Sequence, residues 1–337
     1  MFKTIRYVWH DLFESADRLC AMRGGNKLRI ILDMLWCCVR YTALPGDYFA
    51  LGFDIMPRGK RAEYVTEHKS NIAFRALNDP GSTILLSNKF YGASVLAPYY
   101  GRRFVQSAGL TYDGFLDFIR GEEKFICKPI RGWAGQGHVV YHLDGTRTPE
   151  EIYAEIMASD RCILETWIRQ HEKLNELYDG AVHTVRLHTI HDGSGKDIRI
   201  FGSNLSIAFA GEIAHSHYTT TVSANVDDET GVVLTDGIQS DTDTIYTEVP
   251  STHTRLRGFR LPDWDQAVAL VKNAAAAIPE LQYIGWDVAF TPDGPVICEG
   301  NANPGLHDSQ NGAWYLEGHS PGLWSILRHY IDLKKQK

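Results

Sequence analysis

The chain has 337 residues, 44% of them hydrophobic and 22% charged, with a formal net charge of -7. That is enough length and apolar content for two or three subdomains, and the negative balance argues against a general nucleic-acid binder. Six cysteines, Cys37 and Cys38 adjacent among them, show no paired spacing and no Cys-x-x-Cys, so a reducing, cytoplasmic setting is expected, with only packing roles for the thiols.

Residues 1–45 read as helical, apolar at helical spacing through Ile5, Val8, Trp9, Leu12 and Phe13 and again through Leu28, Ile31, Leu35 and Val39. Pro45-Gly46 is expected to end this region. Asp11, Glu14 and Asp17 interrupt the start too early for a signal peptide, and the apolar run 30–39, broken by Asp33, is too short to span a bilayer. A helix packed on the body of the protein is the expectation; one lying on a membrane as a peripheral contact is the alternative. Further on come a helix over 68–77, an apolar run at 83–86, a helix opening at Asn88-Lys89-Phe90 and a short strand over 103–106. Strands at 125–129 and 138–143 flank a glycine-rich segment, 131–137. A helix over 149–158, acidic in its first turn, leads to a strand at 162–168. Longer strands, 181–191 and 197–210, are joined by residues 192–196; residues 211–260 read as polar and irregular; a helix over 263–278 follows. Helices and strands intermix without a regular alternation, which makes the class α+β.

The stretch 285–301 reads as a hairpin around Pro292-Asp293-Gly294. Pairing Thr291 with Pro295 sets Ala289 opposite Ile297 and Asp287 opposite Glu299, with Asn301 on the face of Glu299. Opposed carboxylates repel, so the pair invites a shared proton or a cation; a hairpin whose acids simply face water is the plainer reading. Asn301, held by the turn-forming Asn303-Pro304-Gly305, adds a neutral oxygen and tips the choice to a metal. Hard oxygen donors with room for waters and phosphates suit Mg²⁺.

The loop Arg131-Gly132-Trp133-Ala134-Gly135-Gln136-Gly137 joins two strands, so it is neither a dinucleotide fingerprint nor a Walker loop. It can fold down as a flap whose backbone N–H groups cover phosphates, with Lys128 just before it supplying a charge; an exposed lysine beside a hairpin tip is the alternative. Arg186, sharing a strand face with Thr184 and His188, needs an anionic partner: a phosphate, a substrate carboxylate or a structural Asp. His183, His215 and His217 are candidate substrate contacts, and zinc ligation by His215 and His217 is disfavoured in a chain with fourteen histidines.

In this order, Asn88-Lys89-Phe90, Lys128-Pro129 with Gly132 to Gly137, Leu164-Glu165-Thr166-Trp167-Ile168, Thr184-Val185-Arg186, and Asp287 with Glu299-Gly300-Asn301-Ala302-Asn303-Pro304-Gly305 resemble the ATP-grasp superfamily over residues 85–310. The wording is most similar to the sugar-transfer-associated ATP-grasp group, linked to bacterial surface polysaccharide synthesis. The resemblance implies an ATP-grasp fold in which two α+β subdomains grip ATP. The corresponding division is an N-terminal helical segment (1–60), a small mixed lead-in (61–120), a flap subdomain (121–170) and a C-terminal subdomain with the metal site (171–337). It implies that Lys89, Lys128 and the flap residues Gly132, Gly135, Gln136 and Gly137 contact the nucleotide phosphates and that Glu165, Trp167 and Ile168 belong to an adenine hinge. Arg186 and Lys128 would act on the transferred phosphoryl group, and Asp287, Glu299 and Asn301 would hold Mg²⁺. Asn88 stands where many relatives have Asp, and the ribose-binding acid is Glu172 unless His171 takes its place. The implied reaction joins a small-molecule carboxylate to an amine through an acyl phosphate, at the expense of ATP. A kinase on the same fold and a non-catalytic nucleotide-binding protein are the rival readings.

Overall fold

The computed structural model describes residues 2–132, 136–159, 161–212, 221–239, 242, 244–311, 314, 318 and 322–336, with backbone alone for 2–9. Gly24 and Gly25, at φ +73° and +107°, break the N-terminal helical run in two. The first half is α1 (Phe2–Arg23); the second is α2 (Lys27–Tyr41), whose N-cap Asn26 accepts from the Arg29 N–H. Pro45 does not end the helical region but opens α3 (Pro45–Ala50). Its fixed φ suits a first helical turn, where the missing N–H is not needed. Next come α4 (Arg58–Arg61) and α5 (Glu67–Leu77). Their core includes Met34, Cys37, Tyr48, Phe53 and Tyr64, with Phe53 edge-on to both tyrosines. The end of the chain joins this unit. Buried Gln310 exchanges hydrogen bonds with both backbone groups of Val65 and accepts from Leu323 N, and Trp324 N, opening the C-terminal helix (Trp324–Lys335), donates to Glu63 O. Residues 1–77 and 303–337 make one unit; residues 78–302 make the other.

The second unit begins with three short helices, α6 (Ile84–Ser87), α7 (Lys89–Val95) and α8 (Ala97–Tyr100). Strands β1 (Phe104–Gln106), β2 (Lys124–Pro129), β3 (Val139–His142) and β4 (Cys162–Thr166) form a sheet in the order β1-β4-β2-β3. Helices α9 (Tyr112–Ile119) and α10 (Pro149–Ala158) bury Phe115, Phe118, Ile152 and Ile156 against Phe125, Tyr141 and Leu164 of that sheet. After α11 (Glu172–Asn175) the chain builds a seven-stranded sheet from β5 (Thr184–Ile190), β6 (Arg199–Ala208), β7 (Thr221–Asn225), β8 (Gly237–Gln239), β9 (Thr244–Tyr246), β10 (Tyr283–Thr291) and β11 (Gly294–Asn301), interrupted by α12 (Trp264–Ala276). Its order is β11-β10-β5-β6-β7-β8-β9, and every described ladder is antiparallel. The expectation that 211–260 is irregular is thereby corrected, since β7, β8 and β9 fall inside it. Val222 and Ala224 alternate with Thr221, Ser223 and Asn225, and all five are buried, so short polar side chains line one face of an interior strand.

Candidate functional site

The hairpin forms with a tighter turn than its sequence suggests. Thr291 pairs with Gly294 around the two residues Pro292 and Asp293, which puts Ala289 opposite Val296 rather than Ile297. Cys298 then sits as an extra residue in a bulge between the pairs Val288–Ile297 and Asp287–Glu299. The one-residue slip at the turn and the one-residue bulge cancel, and Asp287 faces Glu299. On its other side Asp287 is opposite Arg186 of β5. Buried Asn78 holds the far end of the hairpin, donating to Tyr283 O and Ala302 O and accepting from Tyr283 N.

Each carboxylate of the pair is held by a cation. Arg186 grips Asp287 with Nε 2.5 Å from Oδ1 and Nη2 3.1 Å from Oδ2, the bidentate fork that favours arginine. Asn301 Nδ2 donates to the same Asp287 Oδ2 at 3.3 Å. Lys89 Nζ lies 3.1 Å from Glu299 Oε2 and 3.3 Å from the carbonyl of Gly132, the loop glycine at φ +148°. Asn88 caps α7 by accepting from the N–H groups of Phe90 and Tyr91, a task Asn performs as well as Asp. Among the described residues no group of three His, Cys, Asp or Glu side chains gathers to hold a metal. Asp287, Glu299 and Asn301 offer two carboxylates and one amide oxygen, all hard donors. Such a partial set fits an ion that keeps waters and phosphate oxygens in the rest of its shell.

Lys128 is tied to Glu165, with Nζ 2.7 Å from Oε2. Glu165 is 1% exposed, and its carboxylate also accepts from Tyr100 Oη at 2.7 Å and from Arg102 at 2.8 Å (Nε) and 2.7 Å (Nη2). Arg102, buried itself, donates to the carbonyls of Tyr100, Ile297 and Cys298 and lies 3.5 Å over the Tyr100 ring. Burial pushes the Glu165 carboxyl up, but the charges of Arg102 and Lys128, with hydrogen bonds from Lys128 and Tyr100, outweigh it and hold the group at about 2. Burial also pushes the thiol of Cys298 up, to about 11, so this bulge residue is protonated and inert at neutral pH. Two cations against one carboxylate leave this network with an excess positive charge.

Lys89, Lys128, Glu165 and Glu299 line one pocket, walled on its apolar side by Leu86, Ala93 and Leu96. Arg102 and Tyr100, which organise it, carry no motif in the sequence. The only signal is the pair Arg102-Arg103 before a short strand, and nothing in it says that Arg102 turns inward while Arg103 pairs with Glu122 at the surface. The other expected residues do not line this pocket. Trp167 and Ile168 lie just past β4, half-buried, with Lys124 Nζ 4.1 Å from the Trp167 ring centroid. Glu172 is exposed in α11, where His171 is the N-cap. His183 is fully buried, one ring nitrogen 2.9 Å from the Tyr178 carbonyl, and burial drives its pKa down to about 4. Gln136 is exposed, and Gly137, at φ +72°, sits where a Cβ would come within 2.9 Å of Pro129. Gly135, His215 and His217 lie outside the described residues.

No curated protein sequence is a significant match to the chain. Similar solved structures include N5-carboxyaminoimidazole ribonucleotide synthetase in its ADP complex, with 14% identity, 73% of this chain and 53% of that one covered, and a TM-score of 0.41. D-cycloserine synthetase DcsG has 13% identity, coverage of 85% and 82%, and a TM-score of 0.41. For D-alanine–D-alanine ligase from Bacillus anthracis the values are 10%, 75% and 69%, and 0.42. The chain spans about half the length of the first of these. The model of the sugar-transfer associated ATP-grasp family matches residues 105–313, more than half of the sequence. With helices and antiparallel sheets in the α+β arrangement and a helical segment before the first strand, the chain belongs to the sugar-transfer associated ATP-grasp family.

Proposed function

We propose that the chain is an ATP- and Mg²⁺-dependent ligase that joins a carboxylate to an amine, releasing ADP and phosphate. Family membership supports the use of ATP and Mg²⁺. The observation that carries the reading is the convergence of Lys89 and Lys128 on one pocket beside Glu299. In this reading the two lysines bind phosphate oxygens and Arg186 steadies the transferred phosphoryl group. Asp287, Glu299 and Asn301 hold Mg²⁺, which supplies charge neutralisation to the phosphates when bound. The cations that now neutralise those acids, Arg186 and Lys89, are the groups that turn to the nucleotide. The substrate carboxylate attacks the γ-phosphate and gives an acyl phosphate and ADP; the amine displaces phosphate and forms the amide. The loop 130–138 excludes water from the acyl phosphate. The sugar-transfer association of the family supports a sugar acid or an amino acid as the acid partner, joined to a small amine in surface polysaccharide synthesis.

The test is mass-resolved analysis of nucleotide and acceptor after incubating the protein with Mg-ATP and a panel of amino acids, sugar acids and small amines. ADP with a product equal to acid plus amine minus water supports the ligase. ADP with an acceptor heavier by one phosphoryl group replaces it with a kinase.

A further inference from the structure

Helix α2 is apolar on two opposite sides. Met34, Cys37 and Tyr41 enter the core of its unit. Leu28, Leu32, Leu35 and Val39, spaced by four, three and four residues, form a second stripe on the far side, 64%, 59%, 40% and 89% exposed. Trp36 widens it, with the Arg58 guanidinium 4.7 Å from its ring centroid. A helix that buries one face against its own core carries polar residues opposite, and α2 carries leucine there.

The charges that α2 itself carries beside the stripe have one sign. The single acid of α2, Asp33, is turned inward, where it accepts from Tyr48 and pairs with Arg58 and Arg61. Lys27 is bridged to Asp17 of α1. Arg29 and Arg40 remain exposed beside the leucines, Arg40 partly over the Tyr41 ring. A second copy docked through the same stripe would bring arginine flanks together with no α2 acid left to pair them. Anionic headgroups meet both features at once. No described helix is long and apolar enough to cross a bilayer, so α2 would lie in the surface plane.

We propose that the exposed face of α2 docks this protein on an anionic phospholipid surface, with Leu28, Leu32, Leu35 and Val39 entering the headgroup boundary and Arg29 and Arg40 binding lipid phosphates. The test is co-sedimentation of the full chain with vesicles of phosphatidylcholine alone and of phosphatidylcholine with about one third phosphatidylglycerol. The protein pellets with the anionic vesicles and is released by high salt. Arg29→Gln and Arg40→Gln each weaken partitioning about five-fold. Val39→Asp, at a site too exposed to affect folding, removes it. Equal pelleting with both vesicle types, no pelleting, or variants that pellet like the parent overturns the proposal. So does a homodimer in light scattering that Val39→Asp dissociates, which would assign the stripe to a second copy.

Discussion

Replacing Glu165 by glutamine tests whether the buried network beside the pocket is held by charge. The carboxylate lies against two cations, Arg102 with its side chain 3% exposed and Lys128 at 12%. A carboxyl held at about 2 in the folded chain and near 4.5 in the unfolded one contributes about 3 kcal/mol of stability at neutral pH. An independent route agrees: removing one member of a buried ion pair and stranding the other costs about 3–5 kcal/mol. Urea unfolding followed by circular dichroism should therefore place Glu165→Gln about 3 kcal/mol below the parent at pH 7. The sign with pH follows from the depressed value. The contribution is complete above the unfolded pKa of 4.5 and is lost as pH falls toward 2, so the parent weakens across that window more steeply than the variant. A loss under about 1 kcal/mol at pH 7, within the range of ordinary surface changes, would refute the charge argument and reduce Glu165 to a packing residue.

Glu299→Gln should lower turnover roughly 100-fold or more with an unchanged circular dichroism spectrum, because a metal-directed carboxylate is lost; unchanged turnover takes Glu299 out of the site. Lys128→Ala should raise the ATP concentration needed for half-maximal rate more than it lowers the maximal rate, read from ATP titrations of ADP release. Gly101→Ala should cost about 2 kcal/mol in urea unfolding, since φ there is +61° and a Cβ would fall 2.2 Å from Val296 Cγ1. In the helical unit, burial lowers the pKa of His307, but the hydrogen bond and charge of Asp47, 2.8 Å away, raise it above 6.5 overall. The pair's stabilisation is complete below pH 6.5 and is lost as pH rises through the raised value; Asp47→Asn should flatten the melting temperature measured against pH.

What the sequence made legible was local. Period-two patterning and turn residues located the hairpin of Asp287 and Glu299, and the opposition of the two acids held because the bulge at Cys298 undid the slip at Pro292-Asp293. A bulge leaves no mark in an apolar pattern unless a glycine reveals it, so the compensation could not be read in advance. The strands β7, β8 and β9 were hidden for a different reason. Thr221, Ser223 and Asn225 of β7 have loop-like composition although the strand is buried, and β8 and β9 are only three residues each, too short to show a period.

Glu165 marks the limit most sharply. Its place after two apolar residues in β4 predicts a strand, but not that its carboxylate is the centre of an ion network, because Tyr100 and Arg102 reach it from more than sixty residues upstream. Arg102 and Arg103 are chemically equal neighbours, yet one side chain is 3% exposed and the other 52%. Alternation along an extended segment requires that adjacent side chains diverge, but it does not fix which of them turns inward. That choice is made by where a buried anion stands, and an unpaired Glu165 would be far costlier than either exposed arginine. The inward arginine is thus selected by its acid, and exchanging the pair by Arg102→Ala should cost several times more stability than Arg103→Ala, about 3–5 kcal/mol against under about 1 kcal/mol in the same urea assay. Equal losses would mean that the network is held by packing around Tyr100 and not by the charge on Glu165.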